Sequence, residues 1–163
     1  MRWIWIDKFT DFQSGHRATA IKNVSLAEEH LHDHFPAFPI MPACLIIEGM
    51  AQTAGILVGE ARGFREKVIL AKVKRARFER EVRPGDQLQY DATIEQVTPE
   101  AAMTAGHVSV NGKPLAEIDI VFSHIDNNLS GLVFPEENFV FTEEFKSLLN
   151  TYNISTAAAS SAG

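Results

Sequence analysis

The sequence predicts an α+β fold in which a curved antiparallel β-sheet wraps around one long central helix. Residues 43–63 are apolar on nearly every face of a helix, so this helix must be buried. The second half of the chain holds four β-like runs separated by turn residues, which indicates antiparallel neighbours. An apolar helix and the apolar face of a sheet must both be buried from water, and packing the helix on the sheet buries both. With 163 residues and 45% apolar content, the chain suits one compact domain, which we place at residues 1–125.

The N-terminal region predicts two strands and a short helix. Apolar residues alternate with polar ones from residue 2 onward and again, less cleanly, over residues 16–25, which is typical of strands. Ser25 followed three residues later by Glu28 forms a capping box, so we expect a short helix over about residues 26–32.

Three prolines separate this short helix from the long one. They exclude regular helix across residues 35–41, and the third, Pro42, stands where helices often begin. We therefore expect the long helix to start at residue 43 and to end at Gly63.

Turn residues divide the second half of the chain into strands. Residues 83–86 and 98–101 have the composition of turns, and Asn111-Gly112 favours a two-residue hairpin loop, which needs positive φ. The four predicted strands are residues 67–82, 86–97, 101–110 and 114–125.

Residues 126–163 form a predicted C-terminal extension. A loop leads to a predicted helix over residues 142–152, and the small polar end of the chain predicts disorder. One hypothesis is that the face formed by Phe145, Leu148 and Leu149 packs over a neighbouring subunit.

Charge and composition argue against several classes of function. A net charge of −6 and a pI near 5.5 argue against a general nucleic-acid binder. The N-terminal apolar run is too short for a signal peptide and no segment approaches the length of a membrane span, so we predict a cytoplasmic protein without membrane contact. Cys44 is the only cysteine, which excludes an internal disulfide and a thiolate metal cluster within one chain.

Three histidines at alternate positions, His30, His32 and His34, suggest a metal site. Alternate residues share a face in a strand, but in the predicted helix His30 and His32 diverge by about 200°. With Asp33 as a further ligand a metal site stays an alternative, and we favour partly exposed helix positions for His30 and His32.

Glu48 lies in a helix with little other polar surface. One interpretation is a surface position on a narrow polar stripe with Gln52; the other is a desolvated acid, which beside a histidine suits acid/base chemistry. His34 lies fourteen positions upstream, before a proline bend that directs it toward the N-terminal end of the same helix. The free N–H groups of that end suit a developing oxyanion.

The segment HFPAFPIMPACLIIEGMAQTAGIL, residues 34–57, resembles the active-site segment of the bacterial 3-hydroxyacyl-acyl-carrier-protein dehydratases. Their pattern is G-H-F-P-G-x-P-x-M-P-G-x-L-x-x-E-A-M-A-Q. AIKNVS at 20–25 and RARFEREVRPGDQL at 75–88 extend the likeness over roughly residues 4–125. The resemblance implies the hot-dog fold, a long helix held in a curved antiparallel sheet, which agrees with the fold predicted from pattern.

The resemblance also implies a reaction and its residues. His34 matches the catalytic base and Glu48 the second acid/base group, paired across a homodimer interface, while the backbone N–H of Ala43 matches the donor to the thioester carbonyl. The implied reaction is reversible loss of water from a (3R)-3-hydroxyacyl thioester to give the trans-2-enoyl thioester, on acyl carrier protein in fatty-acid or related polyketide synthesis. It needs no cofactor and no metal, and assembly beyond the dimer stays open.

Several residues depart from the family pattern or invite another role. Asp33, Ala37 and Ala43 stand where the pattern has glycine, and a requirement for positive φ at either alanine would distort the site. A non-catalytic acyl-binding relative and a hot-dog acyl-thioesterase therefore stay as alternatives. Glu48 favours a simple dehydratase over the sister family that also isomerises the double bond, which usually has Asp. We interpret Cys44 as a packed thiol rather than as a nucleophile at a helix N-terminus.

Two further sets of residues are candidates for binding the substrate and its carrier. The acyl-tunnel candidates, which are first of all core residues, are Phe35, Phe38, Ile40, Met41 and Leu45. Eight of the chain's fifteen basic residues lie within residues 65–83, and a basic patch there would steer an acidic acyl carrier protein and its phosphopantetheine arm to the site. The docking candidates are Lys72, Lys74, Arg75, Arg77 and Arg80.

Overall fold

The computed structural model describes residues 3–128 and 133–150. The strands are β1 (Lys8–Gln13), β2 (Arg17–Asn23), β3 (Val68–Phe78), β4 (Gln87–Val97), β5 (Ala101–Val110) and β6 (Lys113–His124). The helices are α1 (His30–Asp33), α2 (Ala43–Ala61), α3 (Ile125–Asn128) and α4 (Glu143–Asn150).

The six strands form one antiparallel sheet in the order β1-β2-β4-β5-β6-β3. Helix α2 contacts the five strands from β2 to β6, so the sheet curves around it. On β6, Ile118, Ile120 and Phe122 are buried and alternate with partly exposed residues on the outer face, as the two-residue period of a strand requires. The predicted central helix inside a curved antiparallel sheet is confirmed.

Helix α2 is the centre of the core. Every residue from Gly49 to Glu60 is buried. The helix is apolar and long enough to cross a membrane by length and composition alone, so the expectation that no segment approaches that length was wrong. However, 78% of its most apolar window is buried inside the fold, which makes it a core helix in this structure. Pro42 is its N-cap and Gly63, with φ of 63°, follows its end, as predicted.

Two N-terminal elements differ from the prediction. Residues 3–7 are not a strand, because the Trp5 N–H and the Trp3 carbonyl bond to the Gln52 side chain on α2 instead of to a neighbouring strand. The short helix begins at His30 rather than near residue 26. The Glu28 side chain does accept from the Ser25 N–H (2.9 Å), but it also pairs with Lys22 (2.9 Å), and the intervening residues form turns.

The predicted turns between strands are confirmed. Gly85 has φ of 94°, and Asn111 and Gly112 have φ of 49° and 75°, the left-handed geometry of a tight hairpin loop. The Asn111 carboxamide also accepts from the Gln87 N–H (3.0 Å), which ties the β5–β6 loop to the start of β4.

The C-terminal extension packs on its own chain. Leu149 of α4 is 1% exposed and Phe141 is 4% exposed within the hydrophobic core, and Phe145 and Leu148 pack against it. Helix α4 also contacts β1, so the extension covers the side of α2 that the sheet leaves open. Within one chain this face therefore packs on its own core, while Phe145 and Leu148 stay partly exposed, and the hypothesis that it packs over a neighbouring subunit stays a prediction. The predicted helix end at 151–152 and the predicted disordered tail lie outside the described residues.

The close packing on α2 gives a test with a matched control. A methyl group on Gly49 would lie 2.5 Å from the hydroxyl of the fully buried Tyr90, whereas one on Gly55 would lie 3.5 Å from the Phe122 ring, an ordinary contact. We expect Gly49→Ala to lower the free energy of unfolding by about 1–3 kcal/mol through overpacking. Gly55→Ala should raise it by up to about 1 kcal/mol through helix propensity. Urea unfolding of both variants measures this, and equal effects would contradict the packing described.

Candidate active site

Glu48 is held by two donors at the first turns of α2. Its Oε1 accepts from Trp3 Nε1–H (3.1 Å) and from Gln52 Nε2–H (2.9 Å). Gln52 is 5% exposed, and its amide also accepts from the Trp5 N–H (2.7 Å) and donates to the Trp3 carbonyl (3.1 Å). Gln52 therefore fixes the N-terminal segment and the Glu48 carboxylate together.

This network leaves one carboxylate oxygen available. Within the described residues, the second oxygen of Glu48, Oε2, has no hydrogen-bond partner. Glu48 itself is only half-buried, so that oxygen is free to meet another molecule. The two predicted settings of Glu48, a surface stripe with Gln52 and a desolvated acid, are both partly right.

A cavity of about 290 Å³ runs along α2 from Glu48, and we call it the α2 cavity. Helix α2, the start of β3 and the C-terminal extension supply most of its walls. Its lining residues are Trp3, Glu48, Ala51, Gln52, Gly55, Ile56, Val68, Ile69, Leu70, Phe122, Val140, Phe141 and Phe145. Because Glu48 and Gln52 are the two fully polar side chains of this set, the cavity suits an apolar group whose polar end lies at Glu48.

His34 lies at the other side of the proline segment. It is the exposed C-cap of α1, and its ring lies 4.1 Å from that of Phe35 between centroids. His32 is also exposed, and its Nε2 lies 2.6 Å from the Leu26 carbonyl oxygen. The imidazole of His34 is thus open to solvent in the single chain.

His30 lies in α1 at a partly exposed position, as predicted. Its side chain is 9% exposed, and its ring packs edge-on against Trp5 at 5.2 Å. Among the described residues, no group of three His, Cys, Asp or Glu side chains is placed to hold a metal ion.

The N-terminal end of α2 presents free donors. Ala43 and Cys44 are exposed, and no described residue accepts a hydrogen bond from either backbone N–H, as expected for a first helical turn. Ala43 lines a small depression of about 200 Å³ together with Arg80. Cys44, interpreted from sequence as packed, is instead exposed in this first turn, so that prediction was wrong.

The two alanines that replace family glycines do not require glycine geometry here. The non-glycine residues with positive φ in the described chain are Phe64 and Asn111, so Ala37 and Ala43 both have the ordinary negative φ of an L-residue. Neither alanine is therefore strained in this structure, and their effect on catalysis stays open.

The five acyl-tunnel candidates lie elsewhere than the α2 cavity. Phe35, Phe38 and Ile40 line a separate exposed depression of about 410 Å³ that follows His34. Met41 is 3% exposed in the core, and Leu45 is partly buried against it. Sequence reasoning missed the residues that line the α2 cavity, because Val140, Phe141 and Phe145 lie about ninety residues away from Glu48 and only the fold brings them near.

The five docking candidates are all exposed, as expected for a basic patch. Arg75 is partly neutralised, because it forms ion pairs with Glu117 (3.0 Å) and Asp119 (2.9 Å) on β6. Arg80 is the member beside Ala43.

The described hydrogen bonds, ion pairs and cavities of one chain do not join His34 to Glu48. Each side chain is available, but no contact joins them among the described residues. One chain therefore presents two separate candidate half-sites: the exposed His34, and the fixed Glu48 carboxylate that lines an apolar cavity.

Comparison with known proteins gives these half-sites a context. The profile of the FabA-like domain family matches residues 3–119. The chain belongs to the FabA-like family. FabA-like relatives include the 3-hydroxyacyl-[acyl-carrier-protein] dehydratase FabZ of Oceanobacillus iheyensis, 37% identical over 122 residues, covering 74% of this chain and 87% of the relative. FabZ of Listeria monocytogenes is 35% identical over 125 residues, covering 76% and 87%.

Solved structures place this FabA-like chain in the hot-dog fold. The dehydratase heterocomplex ApeI:P from Xenorhabdus doucetiae superposes with a TM-score of 0.63 at 17% identity, covering 75% of this chain and 83% of that one. A hypothetical thioesterase with coenzyme A from Streptococcus pneumoniae superposes with a TM-score of 0.56 at 6% identity, covering 71% and 83%. At these identities the likeness concerns the fold alone.

The partly desolvated His30 predicts a pH dependence of stability. Burial lowers the pKa of His30, and Lys22 and His34 add to the effect while Glu28 opposes it. Since an unfolded histidine titrates near 6.5, the unfolded chain binds more protons than the folded chain below that pH, and stability falls. We expect the free energy of unfolding in urea to be lower at pH 5.5 than at pH 7.5, and His30→Phe to reduce this difference.

The matched control is His16→Phe, an exposed histidine in the β1–β2 turn. It should keep the wild-type difference between the two pH values. If His30→Phe and His16→Phe behave alike, burial of His30 is not the source of the pH dependence.

Proposed function

We propose that this protein is a dehydratase that interconverts (3R)-3-hydroxyacyl and trans-2-enoyl thioesters. The observation that carries the proposal is the fixed Glu48 carboxylate, which lines the apolar α2 cavity and whose second oxygen has no partner among the described residues. A carboxylate beside an apolar cavity is what an enzyme needs to act on the polar end of an acyl chain. Membership of a family that includes FabZ-type dehydratases supports the same reaction.

In the proposed mechanism, His34 and Glu48 divide the proton transfers. His34, neutral at Nε2, takes the proton from C2, and the electron pair of that C–H bond forms the C2=C3 double bond. The C3–O bond breaks, and the hydroxyl leaves as water with a proton from Glu48. Return of the proton from His34 to Glu48, through solvent or product water, restores the resting enzyme. No cofactor or metal takes part in these steps.

The free N–H of Ala43 is the proposed donor to the thioester carbonyl. As C2 loses its proton, that carbonyl oxygen gains negative charge, and a helix N-terminus stabilises it. A well-aimed donor of this kind lowers the barrier by about 2.7–4 kcal/mol. The negative φ of Ala43 supports this role, since the donor position does not need glycine.

A second copy of the chain completes the site in this proposal. His34 and the Ala43 N–H of one protomer would face Glu48 of its partner, since one chain does not bring them together. Strand β3 pairs only with β6 in the described sheet, which leaves its other edge open, and Phe35 and Phe38 are 48% and 44% exposed. An open strand edge and exposed aromatic rings are typical of surfaces that another subunit covers.

The proposed substrate carrier is an acyl carrier protein in the cytoplasm, in fatty-acid or related polyketide synthesis. The FabZ relatives act on carrier-bound substrates by name, and the basic residues of β3 lead to Arg80 beside Ala43. An acidic carrier would meet this basic patch with its phosphopantetheine arm directed toward the helix N-terminus.

Hydration of crotonyl thioester, followed by loss of the conjugated-enoyl absorbance, tests the proposed reaction. Wild type should turn over, and His34→Ala and Glu48→Ala should each lose about 10²–10⁴-fold in rate. Release of free thiol instead of loss of the enoyl band would mean a thioesterase. Acyl binding without turnover would mean a binding protein.

Trp3 gives a test of the Glu48 network. Trp3→Phe keeps an aromatic ring at the cavity mouth but removes the N–H that donates to Glu48. Since a net hydrogen bond contributes about 0.5–1.5 kcal/mol, we expect kcat to fall about threefold to tenfold while KM stays similar. An unchanged kcat in a variant with wild-type thermal stability would show that Trp3 does not orient Glu48.

Arg80 gives a test of carrier docking. Among the described residues, Arg80 forms no ion pair, and neither does Lys113, an exposed lysine on the β5–β6 hairpin. We expect Arg80→Glu to lower kcat/KM for carrier-bound substrate and to weaken its dependence on salt, because a steering charge is reversed. The neutral N-acetylcysteamine thioester should be unaffected by either variant. Equal effects of Arg80→Glu and Lys113→Glu on carrier-bound substrate would contradict docking at this patch.

A further inference from the structure

The C-terminal extension supplies one wall of the α2 cavity. Val140, Phe141 and Phe145 line it, facing residues of α2 and the start of β3. The family profile ends at residue 119, so this wall is built from a part of the chain that the family match does not include.

Phe141 lies at the end of the cavity away from Glu48. Its ring covers Gly59, where a methyl group would come within 2.6 Å of two ring atoms, and it packs edge-on against Phe64 at 5.1 Å. Eleven residues of helix separate Glu48 from Gly59, a rise of about 16 Å. Phe141 is therefore placed to close the far end of the cavity.

Asn138 fixes the extension in this position. Its Nδ2 donates to the carbonyl oxygens of Phe64 (3.0 Å) and Glu66 (3.1 Å), just after α2. Its Oδ1 accepts from the N–H groups of Val140 and Phe141 (both 3.1 Å). One side chain thus joins the segment before α4 to the loop after α2, and a loose tail would not show this arrangement.

Helix α4 then brings Phe145 over the cavity. Leu149 is buried in the core, which sets the rotation of the helix, and Phe145, one turn earlier, is half-buried and lines the cavity. On α2, Gly55 lines the same cavity, and a methyl group added there would point toward the Phe122 ring of β6, another lining residue, at 3.5 Å. The part of the cavity that Phe145, Gly55 and Phe122 line is the part that a longer acyl chain would enter.

We infer that the C-terminal extension forms the end wall of the acyl-binding cavity, and that Phe145, with Val140 and Phe141, sets the acyl chain length that the protein accepts. This inference rests on the proposed function for its substrate class. The cavity of about 290 Å³ is about twice an apolar cavity that holds benzene, which corresponds to on the order of ten carbon atoms. Short enoyl chains would not reach the wall, and chains much longer than ten carbons would meet it.

The test is the acyl-length profile, measured as kcat/KM for enoyl thioesters of four, eight and twelve carbons. In parallel, the Kd of the corresponding saturated acyl-CoA thioesters is measured by calorimetry. Each methylene group that moves from water into an apolar site raises the affinity about fourfold. Phe145→Ala should raise the ratio of twelve-carbon to four-carbon values by at least this factor. Gly55→Ala, which narrows the same space from α2 without disturbing the extension, should lower the ratio.

Ser147→Ala is the control, since Ser147 is exposed on the same helix and does not line the cavity. It should keep the wild-type profile. Profiles of Phe145→Ala and Gly55→Ala equal to that of Ser147→Ala, in folded proteins that hydrate the four-carbon substrate, would overturn the inference. Absence of four-carbon hydration would overturn the proposed function instead, and the Kd profile would still decide whether the wall sets chain length.

Discussion

The burial of α2 is the constraint on which the rest of the structure depends. The helix is apolar on nearly all sides, so every face of it needs a cover. The curved sheet covers most of them, from β2 to β6, and the C-terminal extension covers the side left between the edge strands β1 and β3. The requirement to bury α2 therefore explains the order of the strands, the position of the extension and the shape of the α2 cavity.

The candidate site lies where this cover is incomplete. Glu48 and Gln52 interrupt the apolar surface of α2. The N-terminal segment binds the Gln52 amide and one carboxylate oxygen of Glu48 through Trp3 and Trp5. A buried carboxylate without partners would be costly, so this network is what allows an acid at the edge of an apolar cavity. The first turn of α2 is exposed as well, and no described residue accepts a hydrogen bond from the N–H groups of Ala43 and Cys44. The first turns of α2, up to Glu48, therefore carry the proposed chemistry, whereas the rest of the helix, from Gly49 to Glu60, is buried in the core.

Much of the fold could be predicted from local patterns. The length and burial of α2, its start at Pro42, the four long strands and the Asn111-Gly112 turn each have a signal within a few residues. The predictions were wrong where residues distant in sequence determine the local backbone structure. Residues 3–7 have the alternation of a strand, but Gln52 binds their backbone. Glu28 of the expected capping box also pairs with Lys22, and the short helix begins only at His30. The motif identified the candidate residues Glu48 and His34. It did not identify the cavity wall formed by the extension, because the periodicity of a sequence does not show which distant segment packs on a helix.

In the proposed site, two chains each contribute half of the acid/base pair. This arrangement can be tested by mixing the His34→Ala and Glu48→Ala proteins under conditions that exchange subunits. In a mixed dimer one site would hold both substitutions and the other would hold an intact His34 and an intact Glu48. With half of the dimers mixed, crotonyl hydration should recover to about a quarter of the wild-type rate. If each variant is inactive and the exchanged mixture stays inactive, His34 and Glu48 do not meet across an interface and the account is wrong.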